Sequence, residues 1–222
     1  MNFGFSLCNT FRSDGGCQAT PSSPISLLSW NYRRLGNPQT ISALKNVIRL
    51  EKPKIVFLME TKSDVDWMKV IRDRCDFEES HIVPNDGSSG GLALFWISKI
   101  TIQVLSSSMS HINGVNDEGG TSTKWHMTGF YGNLETSRRV ESWQLLTSLF
   151  GVSPLPWLII RDFNEIRRNS ENEGGASRPK QQMARFNNVI NSCGLIEVDF
   201  IGPKFTWIYQ RSGSIREVMG IR

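Results

Sequence analysis

Trp157-Leu158-Ile159-Ile160-Arg161-Asp162-Phe163-Asn164 is the stretch on which the reading of this sequence turns. Apolar residues run from Trp157 to Ile160 without alternation, as in a strand buried on both faces, and Asp162 and Asn164 appear where the run ends. The pattern recurs along the chain. Ile25 to Trp30 reads as a strand and is followed by Asn31, Ile55 to Met59 is followed by Glu60, and Trp125 to Phe130 leads into Tyr131. Ligand sites in α/β sheets gather at the C-terminal ends of strands, so these ends are candidates to converge. Carboxylates, amides and a phenol together offer hard oxygen ligands plus neutral donors, a set suited to a magnesium ion and a phosphate. Singly, each residue reads as an ordinary strand or turn cap; as an ordered set they read as a site.

Between these runs the sequence alternates strands with helices. Asn37-Pro38 opens a helix with Ile41, Leu44, Val47 and Ile48 on one face, and Pro53 ends it. Asp64 to Arg74 reads as a helix capped by Ser63 or Asp64. Strand-like runs follow at Glu79 to Val83, Gly91 to Trp96 and Ile100 to Ser106, before Trp125 to Tyr131. Glu135 to Phe150 has an amphipathic pattern with Val140, Trp143, Leu146 and Phe150 on one face. Lys180 to Ser192 reads as a further helix and Lys204 to Ile208 as a late strand. Mixed sheets covered by helices, an α/β class, are the expectation.

Composition narrows the rest. A chain of 222 residues with 39% hydrophobic and 21% charged residues can bury a core without disulfides or metal, which excludes collagen, coiled coil and disorder as whole-chain readings. No apolar run approaches the length of a membrane span, so no membrane partner is expected. The balance of 25 basic and 21 acidic residues, net +4, permits a nucleic-acid partner without demanding one. Cys8, Cys17, Cys75 and Cys193 form no C-x-x-C pair, and His81, His111 and His126 lie far apart, so neither a zinc site nor a disulfide framework is expected. Reduced cysteines favour an intracellular setting. Residues 1–24, rich in Ser, Gly, Thr and Pro, lack the basic and apolar regions of a signal peptide and are expected to be a disordered leader ahead of a domain over 25–222.

Seven blocks carry a resemblance. They are Ser29-Trp30-Asn31-Tyr32-Arg33-Arg34-Leu35-Gly36, Met59-Glu60-Thr61-Lys62, Ser89-Gly90-Gly91-Leu92-Ala93-Leu94, Thr128-Gly129-Phe130-Tyr131-Gly132, Pro156 through Ile166, Cys193-Gly194-Leu195, and Gly202-Pro203-Lys204-Phe205-Thr206-Trp207. Together they resemble the endonuclease domain of plant-type non-LTR (LINE) retrotransposons. That domain is a member of the endonuclease/exonuclease/phosphatase, or DNase-I-like, superfamily and is associated with a reverse transcriptase. The resemblance implies a four-layer α/β sandwich and a magnesium-dependent nuclease, with Mn2+ as the substitute ion. It also implies a hydrolase that is monomeric, binds DNA and acts in the nucleus. Carried over by position, Glu60 holds the metal with Asn31. Asp162 orients or deprotonates the attacking water, and Asn164 and Tyr131 contact the phosphate.

Two departures qualify what the resemblance implies. Arg161 stands where the pattern has the glycine of GDFN, and Arg34 where it has the glycine of CRGLG. A guanidinium next to Asp162 is expected to crowd the site or pair with the carboxylate and lower its basicity. After Arg216 or Glu217 the sequence leaves the pattern, and the R-L-D aspartate and the S-D-H aspartate and histidine have no counterpart. The expectation is a fold incomplete at the C-terminus, an impaired DNA endonuclease, or alternatively a non-catalytic nucleic-acid-binding or non-functional pseudogene remnant. Arg33, Arg34, Lys62, Arg161, Arg167 and Arg168 flank the candidate cleft and are expected to contact phosphate backbone.

Overall fold

The computed structural model describes residues 4–7, 25–31, 38–87, 90–117, 124–173, 177–196, 207–211 and 214–219. Two apolar strand runs set its layers. Strand β2 (Ser26–Asn31) pairs in parallel with β3 (Ile55–Met59), and helix α1 (Pro38–Glu51) makes the crossover between them. Pro38 suits the first helical turn, where its missing N–H costs nothing, and Pro53 stands just beyond the last turn. Helix α2 (Val65–Arg74) begins where Asp64 Oδ1 accepts the Trp67 N–H at 2.7 Å, and Arg72 and Arg74 occupy its last turn, where the helix dipole favours cations. Strands β4 (Glu79–Val83) and β5 (Leu92–Trp96) complete this sheet in the order β1-β2-β3-β5-β4, with every neighbour but β2–β3 antiparallel.

Strand β1 (Gly4–Leu7) falls within residues 1–24, the stretch read as a leader. It pairs antiparallel with β2, Gly4 opposite Ser29 through Leu7 opposite Ser26, and so covers an edge whose backbone groups would otherwise lack partners. The other residues of 1–24 lie outside the described residues.

The second sheet runs β6-β7-β8-β9, formed by β6 (Ile102–Ser108), β7 (His111–Asn116), β8 (Trp125–Tyr131) and β9 (Trp157–Asp162). Its one parallel pair is β8–β9, joined through helix α3 (Arg139–Phe150). Strand β7 was not legible as a strand, because His-Ile-Asn-Gly-Val-Asn has no apolar run. Its polar residues are instead buried in a network on the helix-facing side of the sheet. Both the Thr128 hydroxyl and the His126 ring bond Asn113 Oδ1, at 2.8 and 2.6 Å, and Trp157 Nε1 donates to Thr128 at 2.9 Å. His111 is held by Ser106 and Ser108, at 3.0 and 2.8 Å, which explains why β6 extends through Ser108.

The two sheets pack face to face around Leu27, Phe57, Leu94, Ile112, Met127 and Ile160. Helices α1 and α2 cover the outer face of the first sheet, through Leu44, Met68 and Ile71. Helices α3 and α4 (Lys180–Ser192) cover the second, through Trp143, Leu146, Phe186 and Ile190. The result is a four-layer helix–sheet–sheet–helix sandwich with two mixed sheets. The expected face of α3 is corrected: Arg139, Ser142, Trp143, Leu146 and Leu149 turn inward, while Val140 is 55% exposed. A buried arginine at the first helical position is invisible to apolar periodicity. The late strand overlaps β11 (Trp207–Arg211), which pairs with β12 (Ser214–Met219) in a separate sheet ordered β10-β12-β11, β10 being Asn172–Glu173. Lys204 to Thr206, with most of the Gly202–Trp207 block, lie outside the described residues.

Burial pulls the His126 imidazole down to about 4 from its ordinary 6.5. Its folded pKa lies below its unfolded one, so the neutral ring stabilises the fold above about pH 6.5, and this is lost as pH falls toward 4. The slope is at most about 1.4 kcal/mol per pH unit. The melting temperature is therefore expected to fall on acidification from pH 7 to 5. Scanning calorimetry of His126→Gln, which keeps a donor for Asn113, should show a smaller fall; an equal fall would show that His126 does not titrate on unfolding.

Candidate active site

All five residues picked out from strand ends meet at one end of the sandwich. Asn31 ends β2 and Glu60 follows β3; Tyr131 ends β8, Asp162 ends β9, and Asn164 lies two residues on. Register brings the ends level, with Asn31 opposite Met59 and Tyr131 opposite Asp162. Asn31 Nδ2 donates to Asp162 Oδ2 at 2.9 Å, a bond that crosses from one sheet to the other. The Tyr131 hydroxyl donates to Glu60 Oε1, a second bond between the sheets. The Asn164 N–H donates to Asp162 Oδ1 at 3.0 Å, and Asn164 Nδ2 donates to the Gly132 carbonyl at 2.7 Å.

Backbone conformation explains how these side chains reach the cleft. Glu60 and Asn164 have φ of 53° and 52°, in the left-handed region that L residues seldom adopt. Such departures gather at functional sites, where surrounding contacts hold them. For Glu60 the hold is the start of β5: Thr61 N donates to Gly91 O at 3.2 Å and Lys62 N to Gly90 O at 3.1 Å. Gly91, with φ of 86°, must be glycine, since a Cβ there would run into Thr61 Oγ1. For Asn164 the hold is Gly132, whose N–H donates to Asp162 O at 2.7 Å and which lies so close to the Phe163 carbonyl that a Cβ would collide with it. The glycine doublet of the Ser89–Leu94 block and the last glycine of Thr128–Gly132 thus serve as spacers for the two acidic loops.

The site is buried and its protons are held tightly. Asp162 is 3% exposed and Glu60 5%. Burial raises the Asp162 pKa above the usual carboxylate range; the Asn31 and Asn164 bonds and the Arg161 charge oppose this, and Glu60 reinforces it. Burial, with the bond to Glu60, pushes the Tyr131 hydroxyl far above its ordinary value. Asn31 Oδ1 is shut off from solvent without a hydrogen-bond partner. Among the described residues no group of three or more His, Cys, Asp and Glu side chains could hold a metal, so an ion here would rest on carboxylate and amide oxygens.

The expectation that Arg161 crowds the site is corrected by strand alternation, while its charge does act to lower the Asp162 pKa as expected. Tyr131, Ile160 and Asp162 face the space between the sheets, whereas Arg161 leaves from the opposite face of β9. Its guanidinium carbon lies 4.3 Å from the centre of the Phe163 ring, against the α3 and α4 layer. It does not crowd the cleft. The expected basic rim is also thinner: Arg167 Nε donates to Asn187 at 2.8 Å, and Arg168 lies 3.5 Å from Glu171. Lys62 is exposed beside Glu60, while Arg33 and Arg34 lie outside the described residues. Sequence reasoning missed Glu165 and Arg139, which are 8% and 5% exposed behind Asn164 and joined at 2.9 Å. Apolar periodicity assigns Arg139 to solvent, so it carried no signal for this pair.

No protein-family model matches the chain, and comparison with curated protein sequences gives no match. Solved structures do match. The endonuclease domain of TRAS1, a telomere-specific non-LTR retrotransposon, superposes with a TM-score of 0.59 at 11% identity, covering 89% of this chain and 83% of that one. An AP endonuclease from Leishmania major gives 0.59 at 15% identity, covering 75% of this chain and 66% of its own. The human nocturnin catalytic domain with bound sulfate gives 0.51 at 16% identity, covering 66% and 65%. The chain thus spans just under two thirds of the last two. At these identities the likeness is one of fold, and the fold is the DNase-I-like α/β sandwich.

Because Gly132 touches the Phe163 backbone, Gly132→Ala is expected to destabilise the chain by about 1–3 kcal/mol, as overpacking does. Urea titration monitored by tryptophan fluorescence measures this. An unchanged midpoint would mean the two loops are not in contact.

Proposed function

We propose that this chain hydrolyses phosphodiester bonds in DNA with the help of a divalent cation, as an endonuclease related to those of plant-type non-LTR retrotransposons. The observation that carries this reading is the cross-sheet set itself: Glu60 bonded by Tyr131, and Asp162 bonded by Asn31 and Asn164, in one buried cleft. The fold it shares with two named endonucleases supports the same chemistry.

The residues fit a magnesium or manganese ion. The orphaned Asn31 Oδ1 and the Glu60 carboxylate are hard oxygen donors, and such ions keep several waters when held by one or two carboxylates. When bound, the ion would neutralise charge developing on a phosphoryl oxygen and on the leaving alkoxide. Asp162 is the group that orients and deprotonates the attacking water. Burial makes it a stronger base than an exposed carboxylate, and the Asn31 and Asn164 bonds keep its lone pairs directed. Tyr131 keeps its proton and is a hydrogen-bond donor; its hydroxyl rests on Glu60 in this structure and would serve the phosphate were Glu60 to hold a cation. Asn164 presents its amide to the same oxygen and is neutral, so it does not compete with the cation. Lys62 at the rim contacts the DNA backbone without reading sequence.

We further propose that catalysis is slow. All three histidines of these 222 residues are described, and serine or asparagine partners hold each of them: His81 by Ser107 at 2.9 Å, His111 by Ser106 and Ser108, and His126 by Asn113. None belongs to the strand-end set, so a developing oxyanion is met by Asn164 and Tyr131 without an imidazolium. Losing one such donor commonly lowers the rate by about 10² to 10³.

The test is relaxation of supercoiled plasmid by the full chain with magnesium, against EDTA. Weak nicking is expected, about a hundredfold below that of the TRAS1 domain assayed alongside. Glu60→Ala and Asp162→Ala should each abolish it, whereas Arg161→Gly should leave the rate within about twofold, because that side chain leaves the far face of β9. DNA binding by gel shift without any magnesium-dependent nicking would favour a non-catalytic binder instead.

A further inference from the structure

The Arg139–Glu165 pair breaks three local rules at once. An arginine at the first position of a helix opposes the helix dipole. A charged pair with side chains 7% and 0% exposed gives up its hydration. The pair also sits in a layer otherwise made of Phe130, Trp143, Phe163 and Phe186. Sequences that break local rules commonly do so where function requires it.

The bonds show what the pair joins. Arg139 Nη1 donates to Glu165 Oε2 at 2.9 Å, its Nε to the Asn133 carbonyl at 3.4 Å, and its Nη2 to the Leu134 carbonyl at 3.3 Å. Asn133 and Leu134 follow Tyr131 and Gly132 on the loop leaving β8, and Glu165 follows Asn164 on the loop leaving β9. Glu165 has further partners: Oε1 accepts the Ile166 N–H at 3.0 Å, and Oε2 accepts Gln182 Nε2 from α4. The Asn133 N–H donates to Ser142 on α3 at 2.9 Å, so α3 grips the β8 loop twice. In front of the clamp, Asn164 Nδ2 reaches the Gly132 carbonyl.

We infer that Arg139 and Glu165 are positioning residues, whose buried ion pair fixes the loop carrying Asn164 against the loop carrying Tyr131. This rests on the phosphodiesterase reading for its catalytic consequence, though the clamp is a property of the fold. Neither side chain touches the cleft. Both act through their neighbours: Glu165, the residue after the left-handed Asn164, ties that loop to Arg139 and Gln182, and Arg139 holds the carbonyls beyond Tyr131. A small misplacement of donors lowers turnover steeply while leaving backbone contacts with DNA in place.

The test compares the full chain with Glu165→Gln, Arg139→Lys and a core control, Leu146→Ala, whose site lies in the same layer and is fully buried. Either ion-pair variant carries the test if the other does not fold. Both are expected to lower kcat for plasmid nicking about tenfold or more with KM within about twofold, while Leu146→Ala, destabilised at least as much, keeps kcat within about twofold. Equal kcat in Glu165→Gln and Leu146→Ala would overturn the inference. Amide hydrogen exchange separates this from a failure of the functional reading. Asn164 and Gly132, whose N–H groups bond Asp162, should exchange about tenfold faster in the ion-pair variants than in the control, whether or not the wild type nicks DNA. Equal exchange would overturn the clamp even in an active enzyme.

Discussion

The hydrogen bond from Asn31 Nδ2 to Asp162 Oδ2 is the constraint on which the site depends, because it joins the ends of two separate sheets across 131 positions of sequence. Each sheet contains one parallel pair, β2–β3 in the first and β8–β9 in the second, and each pair is closed by a helical crossover. A parallel pair sends both of its C-terminal ends to the same edge. Packing the sheets face to face then brings four such ends together, and every residue of the candidate site comes from them. Antiparallel pairs would have split Asn31 from Glu60 and Tyr131 from Asp162 by the length of a strand. The architecture thus makes the convergence, and the Asn31–Asp162 and Tyr131–Glu60 bonds lock it.

Burying two carboxylates between sheets is unfavourable unless each is matched. Here the matching is by neutral donors. An amide and a backbone N–H serve Asp162, and a phenol serves Glu60. These donors carry no formal charge themselves, so they match the carboxylates by hydrogen bonding. Among the described residues, the positive charges near the site lie behind it or on its rim. Arg139 is spent on Glu165, Arg161 lies on Phe163, and Lys62 faces outward.

Much of this was legible because continuous apolar runs mark strands buried on both faces. The runs Ile55 to Met59, Leu92 to Trp96 and Trp125 to Tyr131 are buried throughout, and each read as a strand. The five site residues were legible for the same reason, as polar groups standing where such runs stop. Strand β7 was not, since His111 is held by Ser106 and Ser108, and Asn113 by His126 and Thr128, through hydrogen bonds rather than apolar contact. Nor was the pairing of Gly4–Leu7, which depends on an open edge distant in sequence, Leu7 standing opposite Ser26 on the neighbouring strand. The inward face of α3 was misread because Arg139 and Ser142 occupy positions that apolar periodicity assigns to solvent. These failures share a cause. A residue buried by a specific polar partner carries no periodic signal, and the partner is known only once the chain is folded.

Arg161 shows how far strand geometry can change the meaning of a substitution. Beside Asp162 in sequence, an arginine looks like an intruder at a catalytic carboxylate. On β9 the two side chains leave opposite faces, and the Arg161 position opens onto the aromatic layer of Phe130, Trp143, Phe163 and Phe186. A guanidinium stacks well on such a surface and keeps its long stem out of water. Its charge still reaches Asp162 through the strand and draws down that carboxyl's affinity for a proton, against the larger effect of burial. The net result is a base kept ionised more readily than burial alone would allow, with no atom added to the cleft. A glycine at this position gives the strand freedom; the arginine gives Phe163 a partner and Asp162 a modest counter-charge, so the departure from the glycine pattern is compatible with the chemistry that the other five residues support.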